Sequence, residues 1–253
     1  MRRVLLLLLV LFGANACAPP SQPQLKTSVA LGPLGPCPAS SWKPEAPPPT
    51  ASRKTSMVLL AVAEWFRFGS QTLVFPKNGT KPQVDRQGLH EGDPFASQRV
   101  HDYWESVGRP SLSGDNHEVP WSAAFISWDI ESAGVPRDLF CPDARHTIYV
   151  ERMVGRARTP GAAFIPRQLD QYKPRVGDLI CASRAGGTTT LDNLDRGPGH
   201  CDIVVEVRPG EVQAIGGNVE DSVSRSVFPL DESGFLSPIS ARPFFTVIEN
   251  RLP

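Results

Sequence analysis

The chain has 253 residues, with 26 Lys and Arg against 26 Asp and Glu, so its formal net charge at neutral pH is zero. That length fits one catalytic-sized domain with extensions, and the balanced charge, with no Lys/Arg stripe, argues against a nucleic-acid partner. Cys-x-x-Cys and His-x-x-x-His spacings are absent from the sequence, so no metal site is expected, and no organic cofactor is implied.

At the start, "MRRVLLLLLVLFGANACAPP" puts two arginines before an apolar run from Val4 to Phe12, followed by small residues. The run is too short to span a bilayer and reads as an export signal over residues 1–16. Ala14-Asn15-Ala16-Cys17 resembles a bacterial lipoprotein box, which implies lipidation of Cys17 and a membrane anchor. The residue after it is Ala18 rather than Asp, and resemblance to sorted lipoproteins then implies the outer membrane, facing the periplasm. The same Ala14-x-Ala16 also satisfies ordinary signal cleavage, with a soluble periplasmic or secreted protein as the alternative. Export permits disulfides. Setting Cys17 aside, Cys37, Cys141, Cys181 and Cys201 allow three pairings, and the sequence does not choose among them. Cys181 and Cys201 fall in two predicted strands and could be neighbours; buried free thiols are the other reading.

Residues 17–54, with "GPLGPCPASSWKPEAPPPT", hold too little apolar surface to offset their ordering entropy and predict an extended Pro-rich tether. The globular region, 55–253, opens with "TSMVLLAVAEWFRFG", a helix apolar almost all round, capped by Thr55 or Ser56 and stopped by Gly69. "SQRVHDYWESVG" predicts a second helix, with Ser97 at its cap and Gly108 at its end. In "VPWSAAFISWDIESAGV", Pro120 precedes a third helix and Gly134 ends it. Its apolar stripe is Ala123, Phe125, Ile126, Ile130 and Ala133. "DARHTIYVERMVGRA" predicts a shorter fourth.

After Pro174 the pattern changes to strands. "VGDLICASR" is one, with Asp178 stabilising the turn at its start. "HCDIVVEVRPGEVQAIGGNV" gives two, joined by Arg208-Pro209-Gly210, and "SRSVFPL" and "PFFTVIEN" follow. Helices first and strands after predict an α+β fold, its helical part packed on a small antiparallel sheet.

Four blocks, "PWSAAFISW", "PRVGDLICASR", "GHCDIVVEV" and "IGGNV", stand in an order that resembles the papain-like cell-wall hydrolases of the CHAP and NlpC type. Their wording is closer still to a bacterial domain-of-unknown-function family, DUF2272, whose name supplies no activity. The first resemblance implies a papain-like fold and hydrolysis of an amide bond in peptidoglycan. It places Ser122 on the nucleophile, His200 on the general base and Asn218 on the residue that orients the imidazole. Those hydrolases carry Cys where Ser122 stands. A helix N-terminus favours a thiolate and a developing oxyanion, whereas a serine needs concerted proton removal by a base.

Strand alternation puts His200, Asp202 and Val204 on one face and Cys201, Ile203 and Val205 on the other. Trp121, Asp202 and His146 are the candidate substrate contacts, with His146 at the cleft rim. Each site residue also has a structural reading. Ser122 can be a helix cap, His200 a satisfied core histidine and Asn218 ordinary Gly-Gly-Asn turn chemistry. Trp121 can be core, Asp202 a capping or salt-bridge group, and His146 structural. The rival function is a catalytically silent module that keeps the cleft and binds peptidoglycan or a partner protein.

Overall fold

A computed structural model describes residues 34–44, 51–184, 189–194 and 197–253. The leader, Cys17 and much of the proposed tether lie outside the described residues. The chain runs α1 (Arg53–Arg67), β1 (Thr72–Val74), β2 (Gln83–Arg86), α2 (Pro94–Ser106), α3 (Ser122–Ser132) and α4 (His146–Arg156). Then come β3 (Phe164–Arg167), β4 (Leu179–Ser183), β5 (Gly199–Arg208), β6 (Glu211–Val219), β7 (Ser222–Pro229) and β8 (Phe244–Asn250). The fold is α+β. Among the described residues, no helix is long and apolar enough to cross a membrane.

The helix boundaries follow local chemistry, with small shifts from the sequence expectation. Ser52, not Thr55 or Ser56, caps α1, its hydroxyl accepting from the Thr55 amide. The helix is also less buried than its composition predicts, since Leu59 and Phe66 are 54% and 62% exposed. Its inward face instead carries the Glu64 carboxylate, which accepts from Arg99 Nε and Nη2 and from the Tyr103 hydroxyl. Pro94 opens α2, where a missing N–H costs nothing, so the predicted cap Ser97 lies inside the helix. Gly108 and Gly134 follow α2 and α3 with φ of 73° and 76°, the left-handed step that commonly ends a helix.

The sheet has eight strands in the order β2-β1-β7-β6-β5-β4-β8-β3. It is mixed rather than purely antiparallel, because β1 pairs parallel to β7, and it is larger than the sequence predicts. The three additional strands, β1, β2 and β3, are only three or four residues long. None shows apolar alternation; β2 is exposed throughout and β3 contains Pro166, a residue confined to sheet edges. Asp178 supports the turn before β4 as expected, accepting from the Arg175 amide at 2.8 Å.

Alternation divides the core between two faces. Leu179, Cys181, Cys201, Ile203 and Ile215 pack with the helices, while Ile180, Val204, Val212 and Ala214 pack on the far side with Phe228 and Leu236. Cys181 and Cys201, directly paired in the β4–β5 register, form a disulfide. A second disulfide joins Cys37 to Cys141. It corrects the picture of an uninterrupted extended tether. Residues 34–44 are fastened to the body by this bond, by Arg137 and Arg152 donating to the carbonyls of Pro38 and Gly35, and by Trp42 against the core.

Candidate functional site

Helix α3 lies across β5 and β6, and β6 accommodates it through Gly217. A Cβ there would meet Trp121 Cζ3 at 2.5 Å and Phe125 Cβ at 2.6 Å. The Gly-Gly of "IGGNV" is therefore a close-approach device inside a strand, not a turn. Trp121 is the N-cap residue of α3 and makes no side-chain cap, and Ser122 is the first helical residue. The cap reading of Ser122 is thus replaced: its hydroxyl turns elsewhere.

Ser122 Oγ lies 2.7 Å from Nε2 of His146, and His146 Nδ1 is hydrogen-bonded to the Tyr149 hydroxyl. His146 is the first residue of α4, so the N-termini of two helices meet here. Ser127 holds them together, donating to the Asp143 carbonyl at 3.0 Å and accepting the Asp143 amide at 3.1 Å. Ser122 and His146 are only 2% and 3% exposed. Burial, reinforced by the charges of Arg184 and Arg242, holds the His146 pKa well below 6.5, so the ring is neutral at physiological pH. The Tyr149 hydroxyl both donates and accepts, so it does not set the ring tautomer; in the tautomer with the proton on Nδ1, Nε2 accepts the Ser122 proton.

His200 does not fill the role the sequence assigns it. Cys201 and Ile203 face the helices, so His200, Asp202 and Val204 face the opposite side of the sheet. Arg184 Nη2 donates to His200 Nδ1 at 3.3 Å. A guanidinium cannot accept, so the ring proton sits on Nε2 and is donated to Asp202 Oδ1 at 2.7 Å. Both ring nitrogens are committed, and neither serves Ser122. The physical reason is the period-two alternation of β5, which aims a strand-borne side chain at one face only. The two imidazoles still approach at the start of the strand, with ring centroids 5.5 Å apart.

The His200–Asp202 pair is a buried second layer. Burial, outweighing the attraction of Asp202, pushes the His200 pKa down to about 4. Burial alone would raise the Asp202 pKa, but His200, Arg242 and Arg184 together hold it below the usual carboxylate value. The stable arrangement is a neutral imidazole donating to an ionised carboxylate. Gly216 makes room for it, since a Cβ there would fall 1.9 Å from Asp202 Oδ1 and 3.0 Å from His200 Nε2.

The remaining predicted residues also move to new roles. The Asn218 side chain donates to Glu91 Oε2 at 3.0 Å, not to an imidazole; only its carbonyl reaches the His200 group, accepting from Arg184 at 3.0 Å. Trp121 is 1% exposed and stacked on Tyr103, so it is core rather than cleft wall. Its Nε1 donates to Glu91 Oε2. Asp202 is buried against His200, and His146 is enclosed rather than at a rim, so neither is placed to touch substrate from an open surface.

Four participants escape the sequence reading. Tyr149 had a signal, because it stands three residues beyond His146 on a predicted helix and so shares its face. Glu91 and Arg242 come from loops without periodicity, Arg184 ends a predicted strand with nothing to mark it, and only the folded chain brings the three in. Among the described residues, no group of three or more His, Cys, Asp or Glu side chains is placed to hold a metal ion.

No curated protein and no solved structure matches the chain. A family model described as "Uncharacterized protein conserved in bacteria (DUF2272)" matches residues 92–246, more than half of its length. The chain belongs to the DUF2272 family.

Proposed function

We propose that the protein is an exported cell-envelope hydrolase that cleaves an amide bond in peptidoglycan by acyl transfer through Ser122. The observation that carries this reading is the 2.7 Å contact between Ser122 Oγ and His146 Nε2 at a helix N-terminus. His146 takes the hydroxyl proton as Oγ bonds to the amide carbon. It returns that proton to the departing amine as the C–N bond breaks, and a water molecule then hydrolyses the ester by the reverse use of the same base. The first-turn amides of α3, from Ala123 and Ala124, have no partner within the helix and are the candidate donors to the oxyanion. Tyr149, bonded to Nδ1, orients the ring, the task the sequence reading gave to Asn218.

The amide substrate and the papain-like arrangement, a helix start set against β5 and β6, rest on the order of the sequence blocks. The envelope address rests on the leader and the lipoprotein box at Cys17, with the outer membrane as the anchoring site. Two disulfides support export, since such bonds persist in oxidising compartments.

A second reading is a binding module for peptidoglycan or a partner protein, favoured by the near-complete enclosure of Ser122. Purified protein incubated with peptidoglycan sacculi separates the two. Release of new amine-terminated fragments by wild type but not by Ser122→Ala, read by mass spectrometry, supports the hydrolase. Identical fragment profiles for the two proteins overturn it.

A further inference from the structure

Arg184 directly follows β4 and stands where the end of that strand and the start of β5 face the end of β6. Its Nη2 donates to His200 Nδ1 at 3.3 Å and to the Asn218 carbonyl at 3.0 Å. Helix α3 begins at the same end of the sheet. The His200 ring lies 5.5 Å from that of His146, which bonds Ser122 Oγ, and Gly217, next to Asn218, lies against Trp121. Ser122, His146, His200 and Asp202 are buried, whereas Arg184 is partly exposed.

The charge of Arg184 is not met by its partners. Both of its acceptors are neutral, and among the described residues Nη1 has no hydrogen bond. The buried carboxylate nearby, Asp202, takes its bond from His200 and has Arg242 Nη1 at 4.0 Å. Two guanidinium groups thus share one buried carboxylate, and the other acid that attracts Arg184, Asp221, is exposed to water. Burial and then Arg242 pull the Arg184 pKa below its usual value, and the two acids do not restore it. A part-buried cation without a carboxylate of its own is costly to hold, and an anion is the group that offsets it by charge-assisted hydrogen bonds.

We propose that Arg184 reads a free carboxylate on the amide ligand of the Ser122 site, close to the bond held at Ser122, through its uncommitted Nη1. This names the class of ligand for the site assigned above to a hydrolase, and so rests on that reading of where the ligand lies. Anionic peptides enter, and their uncharged counterparts are disfavoured.

The test is calorimetric titration of Ser122→Ala, which does not consume the ligand, with acetyl-trialanine and with its C-terminal carboxamide. The acid is expected to bind about tenfold or more tightly than the carboxamide. Adding Arg184→Gln brings the acid down to the level of the carboxamide and leaves the carboxamide unchanged. Arg184→Lys keeps the charge but cannot bond His200, Asn218 and a ligand together, and weakens the acid by about threefold or more; it decides the matter where Arg184→Gln does not fold. Equal binding of the two peptides, no saturable binding, or an undiminished acid preference in a folded Arg184 variant each overturns the proposal. Turnover is read separately, on sacculi with Ser122 intact. Acid preference without turnover keeps the role of Arg184 and sinks the hydrolase, and turnover without acid preference does the reverse.

Discussion

Ser122 and His146 are each the first residue of a helix, and the 2.7 Å between Oγ and Nε2 is set where those two helix starts abut. The contact depends on no strand residue. In the proposed mechanism the proton acceptor therefore comes from α4, which orders the effects expected from mutation.

Ser122→Ala and His146→Gln should each lower amide hydrolysis by a similar large factor, about 10³-fold or more, with the double variant little worse than either single. Asn218→Ala, which disturbs Glu91 rather than an imidazole, should lose less than about tenfold. Steady-state rates on a soluble cell-wall peptide check the order. A dispensable His146 beside an indispensable Asn218 would restore the assignment read from the sequence.

The pH profile follows from the neutral His146. Burial and the nearby charges of Arg184 and Arg242 disfavour its imidazolium, so the base stays competent to lower pH than an ordinary histidine. The acid limb of kcat/KM should therefore have its midpoint below 6.5. A midpoint at or above 6.5 counts against His146 as the base.

Stability should fall in mild acid. The native His200 resists protonation down to about 4, whereas in the unfolded chain it binds a proton below its ordinary value of about 6.5. Stability is therefore level above pH 6.5 and is lost as pH falls from 6.5 to 4, by roughly 3 kcal/mol for this group. His146 acts in the same direction. Asp202, held below its ordinary 3.8, contributes only at more acid pH. Urea midpoints measured across this window should show the slope, and His200→Asn should flatten it; an unchanged slope in that variant contradicts the buried neutral imidazole.

Glu91 gathers three donors on one buried carboxylate: Trp121 Nε1, Asn218 Nδ2 and, at 2.9 Å, His117 Nδ1. It pins the residue before Ser122 to the end of β6. Glu91→Ala strands the buried indole N–H and should cost about 1–3 kcal/mol for each orphaned group. Glu91→Gln, which keeps an acceptor, should recover part of that. Chemical denaturation and the reactivity of Ser122 toward a fluorophosphonate probe, measured together, separate lost fold from lost alignment.

Much of the architecture is legible in the sequence because it is local. Four helices, the five longer strands and the Pro209-Gly210 turn each carry their own periodicity or stop signal. So does the segregation of His200 and Asp202 from Cys201, which needs only the alternation of a strand. The short strands β1, β2 and β3 are not legible, since each exists through its partner and lacks a pattern of its own.

The site divides in the same way. Sequence by itself determined which groups are present: a serine at a helix start, a histidine at another, a His-x-Asp pair on a strand, and two glycines in β6. Tertiary structure alone decided their partnership. Ser127 and Asp143 bring α3 and α4 together so that His146 reaches Ser122, and the far face of the sheet carries His200 to Arg184 and Asp202. A hydrogen bond requires two side chains to meet within about 3 Å in a fixed direction. Residue type and spacing along the chain specify a face and a helix end, but which ends meet is set by packing between elements distant in sequence.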